Sequence, residues 1–182
     1  MPNKFDNRFG DNHKDEWLTP KFITDGLGPF DLDPCSPVNR PWDTAARHYT
    51  IVDNGLIQQW QGRVWLNPPY GDETPKWIEK LAHHGNGIAL IFNRTETDYW
   101  ENLIWKYANG ILFIFGRLSF YNASGGLGPG NSGAGSALVA FGDDNVERIR
   151  ISGINGALIK SSGQGIWVQQ QIELFGSSMN YV

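Results

Sequence analysis

The stretch from Gly62 to Gly71 constrains the fold of this chain more than any other. It reads Gly-Arg-Val-Trp-Leu-Asn-Pro-Pro-Tyr-Gly, so a short apolar run ends abruptly at a double-proline turn. A buried strand bounded by turn residues is typical of a parallel sheet. The two prolines fix φ at about −65° and have no N–H groups, so the backbone carbonyls around them are held rigidly. We expect Asn67 to project its amide at the carboxyl end of the strand, where α/β sheets bind ligands.

The turn formed by Asn67, Pro68, Pro69 and Tyr70 suits methyl transfer to a planar –NH₂ group. The side-chain carbonyl of Asn67 and the main-chain carbonyl of Pro68 can accept both hydrogens of such an amine. Two fixed acceptors favour the pyramidal amine of the transition state over the flat ground state. Tyr70 can stack on a base that has turned out of its helix. The turn therefore predicts methylation of an aromatic or amide nitrogen without a strong general base. The alternative is a rigid proline turn with no chemistry.

Composition predicts a single globular domain over residues 1–182. The chain has 40% hydrophobic and 19% charged residues, and its net charge of −4 argues against a generally basic nucleic-acid surface while allowing a local patch. One cysteine, Cys35, excludes an internal disulfide and agrees with a reducing, cytoplasmic location. The sequence shows neither a signal core, nor an apolar run of about 18 residues, nor His/Cys/Asp spacing for a metal. We therefore predict a cytoplasmic protein without a membrane span or a metal site.

Strand and helix patterns alternate between residues 30 and 115, which predicts an α/β fold with a mainly parallel sheet and right-handed crossovers. Thr19 and Pro20 are expected to cap and begin the first helix, and Thr74 and Pro75 the second. The last two strands are expected to form an antiparallel hairpin. The predicted strands are 30–33, 64–66, 87–92, 111–115 and 136–141, and the predicted helices are 21–25, 74–82 and 99–108, with a helical turn at 145–150.

Three segments have no clear periodic pattern. Residues 1–15 are polar and are predicted to be a mobile leader. Six of the fourteen residues from 122 to 135 are glycine, which indicates either a mobile hairpin linker or a loop that orders on substrate. The tail, residues 143–182, has apolar residues alternating at Ile166, Val168 and Ile172 and is assigned no chemistry.

Two residues at the ends of predicted elements have both a structural and a functional interpretation. Trp17 is either a core anchor or an aromatic wall against a flat ligand. Asp33, followed by Pro34, either pairs with a ligand amino or hydroxyl group or forms an ordinary Asx–Pro turn. No Gly-x-Gly-x-x-Gly follows this strand, so the ligand is expected to lack a pyrophosphate.

Four arginines are candidates for contacts with nucleic-acid phosphates. Arg94 and Arg117 come just after predicted strands, and Arg40 and Arg47 alternate with aromatic residues in the loop 38–50. The simpler interpretation of that loop is a solvated segment with buried anchors. Asp53, fourteen positions before Asn67, could accept from a cofactor amine or ribose hydroxyl, or could cap a helical turn.

Several motifs occur in a fixed order between residues 15 and 142: Asp-Glu-Trp-x-Thr-Pro, Asp-Leu-Asp-Pro-Cys, Asp-x-Gly-Leu, Trp-x-Gly-x-Val-Trp-x-Asn-Pro-Pro-Tyr-Gly and Gly-Arg-Leu-x-Phe. Together they resemble the phage-type DNA N-6-adenine methyltransferases, the compact Dam-like family of phages and prophages. The resemblance implies a Rossmann-like methyltransferase fold, S-adenosyl-L-methionine as methyl donor, S-adenosyl-L-homocysteine as product, and adenine in DNA as acceptor.

The resemblance also assigns roles by position. Asn67–Tyr70 correspond to the family's catalytic turn, and Asn67 also faces the cofactor. The remaining cofactor-binding residues lie in the three preceding motifs, and they are Trp17, Thr19, Pro20, Asp31, Asp33, Pro34, Cys35, Asp53 and Leu56.

Two departures from the family pattern bear on the assignment. The glycine-rich first motif of larger methyltransferases is reduced to Asp-Pro-Cys-Ser, and the loop 122–135 lacks a base-reading arginine. Two other functions remain open. One is methylation of an RNA amine or of a protein glutamine amide, and the other is a non-enzymatic phage DNA-binding accessory module.

Overall fold

The structure is a computed structural model that describes residues 17–122, 124–128, 130, 132–162 and 165–170, with side chains as far as residue 161. The predicted leader, residues 1–15, and the tail position Ile172 lie outside the described residues. Within the described part of the chain, no helix has the length and apolar character needed to cross a membrane.

A mixed sheet of eight strands forms the centre of the fold, in the order β10-β9-β6-β8-β5-β4-β2-β3. Two further short strands, β1 and β7, pair separately. The strands are β1 (Trp17–Leu18), β2 (Leu32–Asp33), β3 (Arg47–His48), β4 (Val64–Leu66), β5 (Gly87–Phe92), β6 (Gly110–Ile114), β7 (Tyr121–Asn122), β8 (Ser136–Phe141), β9 (Gly156–Ser162) and β10 (Gly165–Gln170).

The sheet is parallel on one side and antiparallel on the other. Strands β3, β2, β4 and β5 are mutually parallel, as the alternation of strands and helices predicted. From β5 onward every pair is antiparallel, because β8 inserts between β5 and β6 and pairs with both. The predicted hairpin of β6 and β8 is confirmed, whereas its insertion beside β5 and the added pair β9 and β10 were not anticipated.

Hydrophobic alternation along the central strands builds a core on each face of the sheet. In β5, Ile88 and Leu90 face the core beneath two helices, and Ala89 and Ile91 face the opposite core. Helices α1 and α4 cover the first face, and α2 and a π-helical turn cover the second. The helices are α1 (Lys21–Leu27), α2 (Thr74–His84), α3 (Trp105–Tyr107), which continues from a π-helical turn (Trp100–Ile104), and α4 (Asp143–Ile151).

The predicted caps at the starts of α1 and α2 were wrong. Pro20 occupies the N-cap position of α1, and the buried Thr19 makes no capping hydrogen bond. In α2, Thr74 is the first helical residue and its hydroxyl contacts the preceding turn instead of the helix. Gly85 ends α2 in the left-handed conformation, with φ of 73°, as the glycines after the helix predicted.

The described part of the glycine-rich loop packs against its surroundings. Strand β7 pairs with β1, and Trp42 meets the ring of Tyr121 edge-on at 5.4 Å. A Cβ on Gly128 would lie 2.7 Å from the Trp17 ring, so this close approach requires glycine. These contacts place the start of the loop against its neighbours, and glycine at position 128 lets the backbone come close to Trp17.

Candidate active site

Strand β4 delivers Asn67 to the carboxyl edge of the sheet, as predicted from the proline turn. The side-chain Nδ2 of Asn67 donates to the Trp17 carbonyl at 3.2 Å. Since a carbonyl can only accept, this contact fixes which end of the amide is the nitrogen. The Oδ1 atom of Asn67 is buried and accepts no hydrogen bond from any described residue. The site therefore contains one oriented acceptor oxygen without a partner.

The proline turn is held in place from the start of α2. The hydroxyl of Thr74 donates to the Pro69 carbonyl at 2.8 Å and accepts from the backbone N–H of Gly71 at 3.1 Å. This external donor matters because the two prolines have no N–H with which to close the turn themselves. The Pro68 carbonyl follows Asn67 directly in this turn and is a second acceptor group on a rigid backbone.

A cavity of about 410 Å³ lies between this turn and the end of β2. Its volume falls in the range of small-molecule sites, roughly 300–1,000 Å³, and aromatic side chains form much of its wall. The lining residues are Trp17, Pro34, Cys35, Ser36, Pro37, Thr50, Ile51, Asn54, Gly55, Asn67, Pro68, Pro69, Tyr70 and Trp77.

A second cleft, of about 420 Å³, lies in the loop from Val38 to Asp43. None of its lining residues is fully buried, and none has an unpartnered buried polar atom. The cavity beside Asn67 is therefore the better candidate site.

Asp33 lies next to the cavity without lining it. Its carboxylate accepts from the Cys35 N–H at 3.1 Å and from the Thr44 hydroxyl, and the first of these contacts is the Asx turn foreseen as the structural alternative. Burial raises the pKa of Asp33 from 3.8 to about 6, against the opposing effects of Thr44, Cys35 and Arg40. Asp33 consequently shapes the segment Pro34–Cys35 that faces the cavity.

Cys35 links the two strand ends that flank the cavity. Its thiol donates to the Asn67 carbonyl at 3.1 Å. Burial raises the pKa of this thiol well above its usual range, and the nearby Asp33 carboxylate raises it further. Cys35 is therefore an uncharged thiol that fixes the Asn67 peptide, and it has little nucleophilic character.

The loop 50–58 forms one wall of the cavity. The Asp53 carboxylate accepts from the N–H of Thr50 at 2.8 Å and from its hydroxyl at 2.9 Å, so it closes the turn 50–53 and does not line the cavity. These hydrogen bonds lower the pKa of Asp53. A Cβ on Gly55 would lie 1.9 Å from the Pro34 carbonyl oxygen, so only glycine allows this contact. Leu56 points its half-buried side chain toward the core beneath α2.

Tyr70 lies at the mouth of the cavity with one ring face covered. Its ring stacks on Phe92 with centroids 4.1 Å apart and an interplanar angle of 16°. The side chain of Tyr70 is 40% exposed, which leaves area for a second flat ring. Burial of the hydroxyl raises the pKa of Tyr70, so the phenol is neutral.

Several residues predicted to bind the cofactor are not brought to the cavity. Thr19 and Pro20 lie just beyond Trp17 and are buried, and the Thr19 hydroxyl has no partner among the described residues. Asp31 is not brought to the cavity either. This residue precedes β2 at the opposite edge of the sheet, where its carboxylate accepts from the Arg63 N–H at 2.6 Å.

The four candidate arginines are placed differently. Arg94 is exposed just beyond β5, on the same edge as Asn67. Arg40 also follows the carboxyl end of β2, but its Nε lies 3.0 Å from the Asp43 carboxylate. Arg117 donates to the carbonyls of Ser132 and Gly133 at 3.0 and 2.9 Å, so it holds the end of the glycine-rich loop.

Arg47, another predicted DNA contact, is not among the residues that line the cavity. It begins β3 and donates to the Gln61 carbonyl at 3.2 Å, toward the amino edge of the sheet. A phosphate contact there would be remote from the catalytic turn.

Sequence reasoning missed part of the cavity wall and the ring behind Tyr70. Trp77 lines the cavity from α2, whereas the sequence had indicated only that it lies in a helix. Phe92 had been treated as a strand end. Ser36, Thr50, Ile51 and Asn54 gave no sequence signal apart from their closeness to the motifs.

Among the described residues no group of His, Cys, Asp or Glu side chains could hold a metal ion.

A family model described as DNA N-6-adenine-methyltransferase (Dam) matches residues 7–166 of the 182-residue chain. No curated protein and no solved structure matches the chain.

Proposed function

This chain belongs to the DNA N-6-adenine-methyltransferase (Dam) family, and from that premise we propose that it transfers a methyl group from S-adenosyl-L-methionine to the N-6 amine of adenine in DNA. The observation that carries the proposal is the unpartnered, buried Oδ1 of Asn67 beside a cavity at the sheet edge. A buried acceptor without a partner costs about 1–3 kcal/mol, so a donor from a ligand would relieve it. An amine with two hydrogens is such a donor.

The cavity suits the methyl donor in size and character. Its aromatic walls, Trp17 and Trp77, fit a flat adenine ring and a positively charged sulfur. The segment Pro34–Pro37 and the loop 50–55 offer backbone groups for the polar parts of the molecule. When bound, S-adenosyl-L-methionine supplies a methyl group on a positively charged sulfur. The proposed fold is the Rossmann-like methyltransferase type, with which the parallel half of the sheet is compatible.

The chain's own residues bind and orient the acceptor amine. The Oδ1 of Asn67 and the carbonyl of Pro68 accept its two hydrogens. Trp17 fixes the Asn67 amide, and Thr74 fixes the carbonyl turn, so neither acceptor has to reorganise during the reaction. This arrangement favours a pyramidal amine, whose lone pair is less delocalised into the ring and more available for methyl transfer. Proton loss follows methyl transfer, when the amine is strongly acidic, and water is a sufficient acceptor.

Tyr70 serves as the platform for the flipped adenine. Extruding a base costs a few kcal/mol of stacking, and stacking on an aromatic side chain recovers part of it. Phe92 covers the back of the Tyr70 ring, so the base would take the other face. Arg94, beyond β5 on the same edge, is the proposed phosphate contact.

Methyl transfer to mixed substrates tests this function directly. Purified protein is incubated with labelled S-adenosyl-L-methionine and, in parallel, with random-sequence DNA, RNA and a glutamine-containing protein extract. The DNA is then digested to nucleosides for mass spectrometry. We expect N-6-methyladenine from the DNA and at least about a hundredfold slower product formation by the Asn67→Ala variant. Label found only in RNA, in protein or in cytosine would contradict the proposal.

A further inference from the structure

The loop 50–58 makes up one side of the cavity yet contains little regular structure of its own. We propose that Lys80 is a positioning residue, which clamps this loop in the conformation that binds the methyl donor. This inference rests on the proposed function because it concerns the affinity of the same cavity. Lys80 itself does not line the cavity, and it acts through the loop backbone.

The contacts of Lys80 are directed at the loop backbone. Its ammonium donates to the carbonyls of Leu56 at 2.6 Å and Gln58 at 2.5 Å, and a longer contact of 3.3 Å reaches the carbonyl of Gly55. An ammonium has three donors, and all three contact backbone carbonyls of the same loop. Hydrogen bonds from a charged donor are worth roughly twice those from a neutral one. A single side chain therefore holds much of the loop.

The surroundings of Lys80 strengthen this clamp. Its Nζ lies 5.0 Å from the centre of the Trp60 ring, over the ring face, where the ring attracts the positive charge. The indole N–H of Trp60 donates to the Gly55 carbonyl at 2.8 Å, so this carbonyl has two donors. Gly55 in turn rests directly on the Pro34 backbone, and both residues line the cavity. The clamped carbonyl thus belongs to the residue at which the loop meets the Pro34 segment.

Helix α2 joins the clamp to the catalytic turn. Thr74 at its first position holds the Pro69 carbonyl, and Lys80 follows six residues later, about 9 Å along the helix axis. Trp77 lies between them, lines the cavity and stacks on Trp60 with an interplanar angle of 23°. One helix therefore fixes both the acceptor site and the wall of the donor site.

The matched variants Lys80→Met and Lys76→Met test the clamp. Lys76 lies one turn earlier on α2, is exposed, and pairs with Glu73 at 2.7 Å without touching the loop. Dissociation constants for S-adenosyl-L-homocysteine are measured by calorimetry. If the loop adopts the binding conformation only about one-tenth of the time without the clamp, Lys80→Met weakens binding about tenfold. Lys76→Met should bind like the wild type, and Lys80→Arg should recover most of the affinity because arginine keeps the charged donors.

Kinetics distinguish positioning from a general structural role. We expect Lys80→Met to raise KM for the methyl donor about tenfold while kcat at saturating donor stays within about twofold, because Asn67 and its turn are untouched. An unchanged dissociation constant would overturn the proposal, as would a loss of kcat with unchanged KM. If Lys80→Met fails to fold, Trp60→Phe replaces it. That variant removes one donor to Gly55 and should weaken binding about threefold, and unchanged binding would count equally against the clamp.

Amide hydrogen exchange without any ligand separates this inference from the proposed function. The N–H groups of Asn54 and Ile57 donate to carbonyls within the loop, to Thr50 at 3.1 Å and to Asn54 at 3.0 Å. Lys80→Met should speed their exchange while leaving the amides of β5 unchanged. Equal exchange in the variant and the wild type would refute the clamp. Absence of S-adenosyl-L-homocysteine binding by the wild type would instead refute the proposed function.

Discussion

Replacing Asn67 by alanine should separate activity from stability. The variant removes the acceptor proposed to shape the amine, and loss of a comparable transition-state hydrogen bond costs about 2.7–4 kcal/mol, or a hundredfold to a thousandfold in rate. It leaves the remaining cavity wall in place. We therefore expect kcat to fall at least about a hundredfold while S-adenosyl-L-homocysteine still binds with nearly wild-type affinity.

The effect on stability follows from the hydrogen bonds of Asn67. Losing the Nδ2 contact with the Trp17 carbonyl costs about 1 kcal/mol, whereas removing the unpartnered Oδ1 relieves about 1–3 kcal/mol. The net change in the free energy of unfolding should lie between about zero and 2 kcal/mol in favour of the variant. A residue that costs stability and is needed for catalysis is expected at an active site.

Three measurements on Asn67→Ala and one control variant test this reasoning. Methyl transfer, calorimetric binding and urea unfolding are compared with Asn39→Ala, which alters an exposed asparagine in the second cleft. The control should match the wild type in all three. Activity within tenfold of the wild type would remove Asn67 from the mechanism. A loss of several kcal/mol in stability would mean that its Oδ1 is paired in solution.

Three further predictions follow from the surrounding residues. Gly55→Ala should weaken cofactor binding at least about tenfold and cost roughly 1–3 kcal/mol in unfolding free energy, because its Cβ would overlap a backbone carbonyl. Calorimetry measures the binding and urea unfolding the stability. In Gly133→Ala the added Cβ meets only open space, so this variant should have no effect on either. Because the folded-state pKa of Asp33 is raised from 3.8 to about 6, wild-type stability should fall by about 2 kcal/mol relative to Asp33→Asn as pH rises from 4 to 6; parallel curves of unfolding free energy would show that this carboxyl does not titrate there. Arg94→Ala should reduce by about one the slope of the logarithm of the DNA-binding constant against the logarithm of the salt concentration. Arg47→Ala, near the opposite edge of the sheet, should leave this slope unchanged. The reverse result would mean that DNA binds along the other edge.

The position of Asn67 at the carboxyl edge of the sheet could be predicted from sequence, because an apolar run followed by asparagine and two prolines determines the local backbone conformation. The double proline fixes its own backbone, so the position of Asn67 after β4 did not depend on distant contacts. The same holds for the end of α2 at Gly85. The insertion of β8 between β5 and β6 depends on pairing of residues far apart in the chain, which no local pattern encodes.

The three aspartates predicted to bind the cofactor show what sequence leaves open. The resemblance assigned Asp31, Asp33 and Asp53 to the ligand, and the described contacts of each are to backbone N–H groups or hydroxyls of the chain. An aspartate near a turn satisfies local donors first, and only coordinates show whether any acceptor capacity remains. Trp77 was missed for the converse reason, since a helical apolar stripe does not reveal that one of its members borders a cavity.

The hydroxyl of Thr74 has a practical consequence for anyone wishing to transplant this chemistry. Because the two prolines cannot donate, the tetrapeptide borrows its closing hydrogen bond from the first residue of the following helix. The smallest portable unit is therefore a strand, a turn and a helical segment together. Grafting the tetrapeptide Asn67–Tyr70 alone onto another scaffold should give a turn without a fixed conformation and without activity.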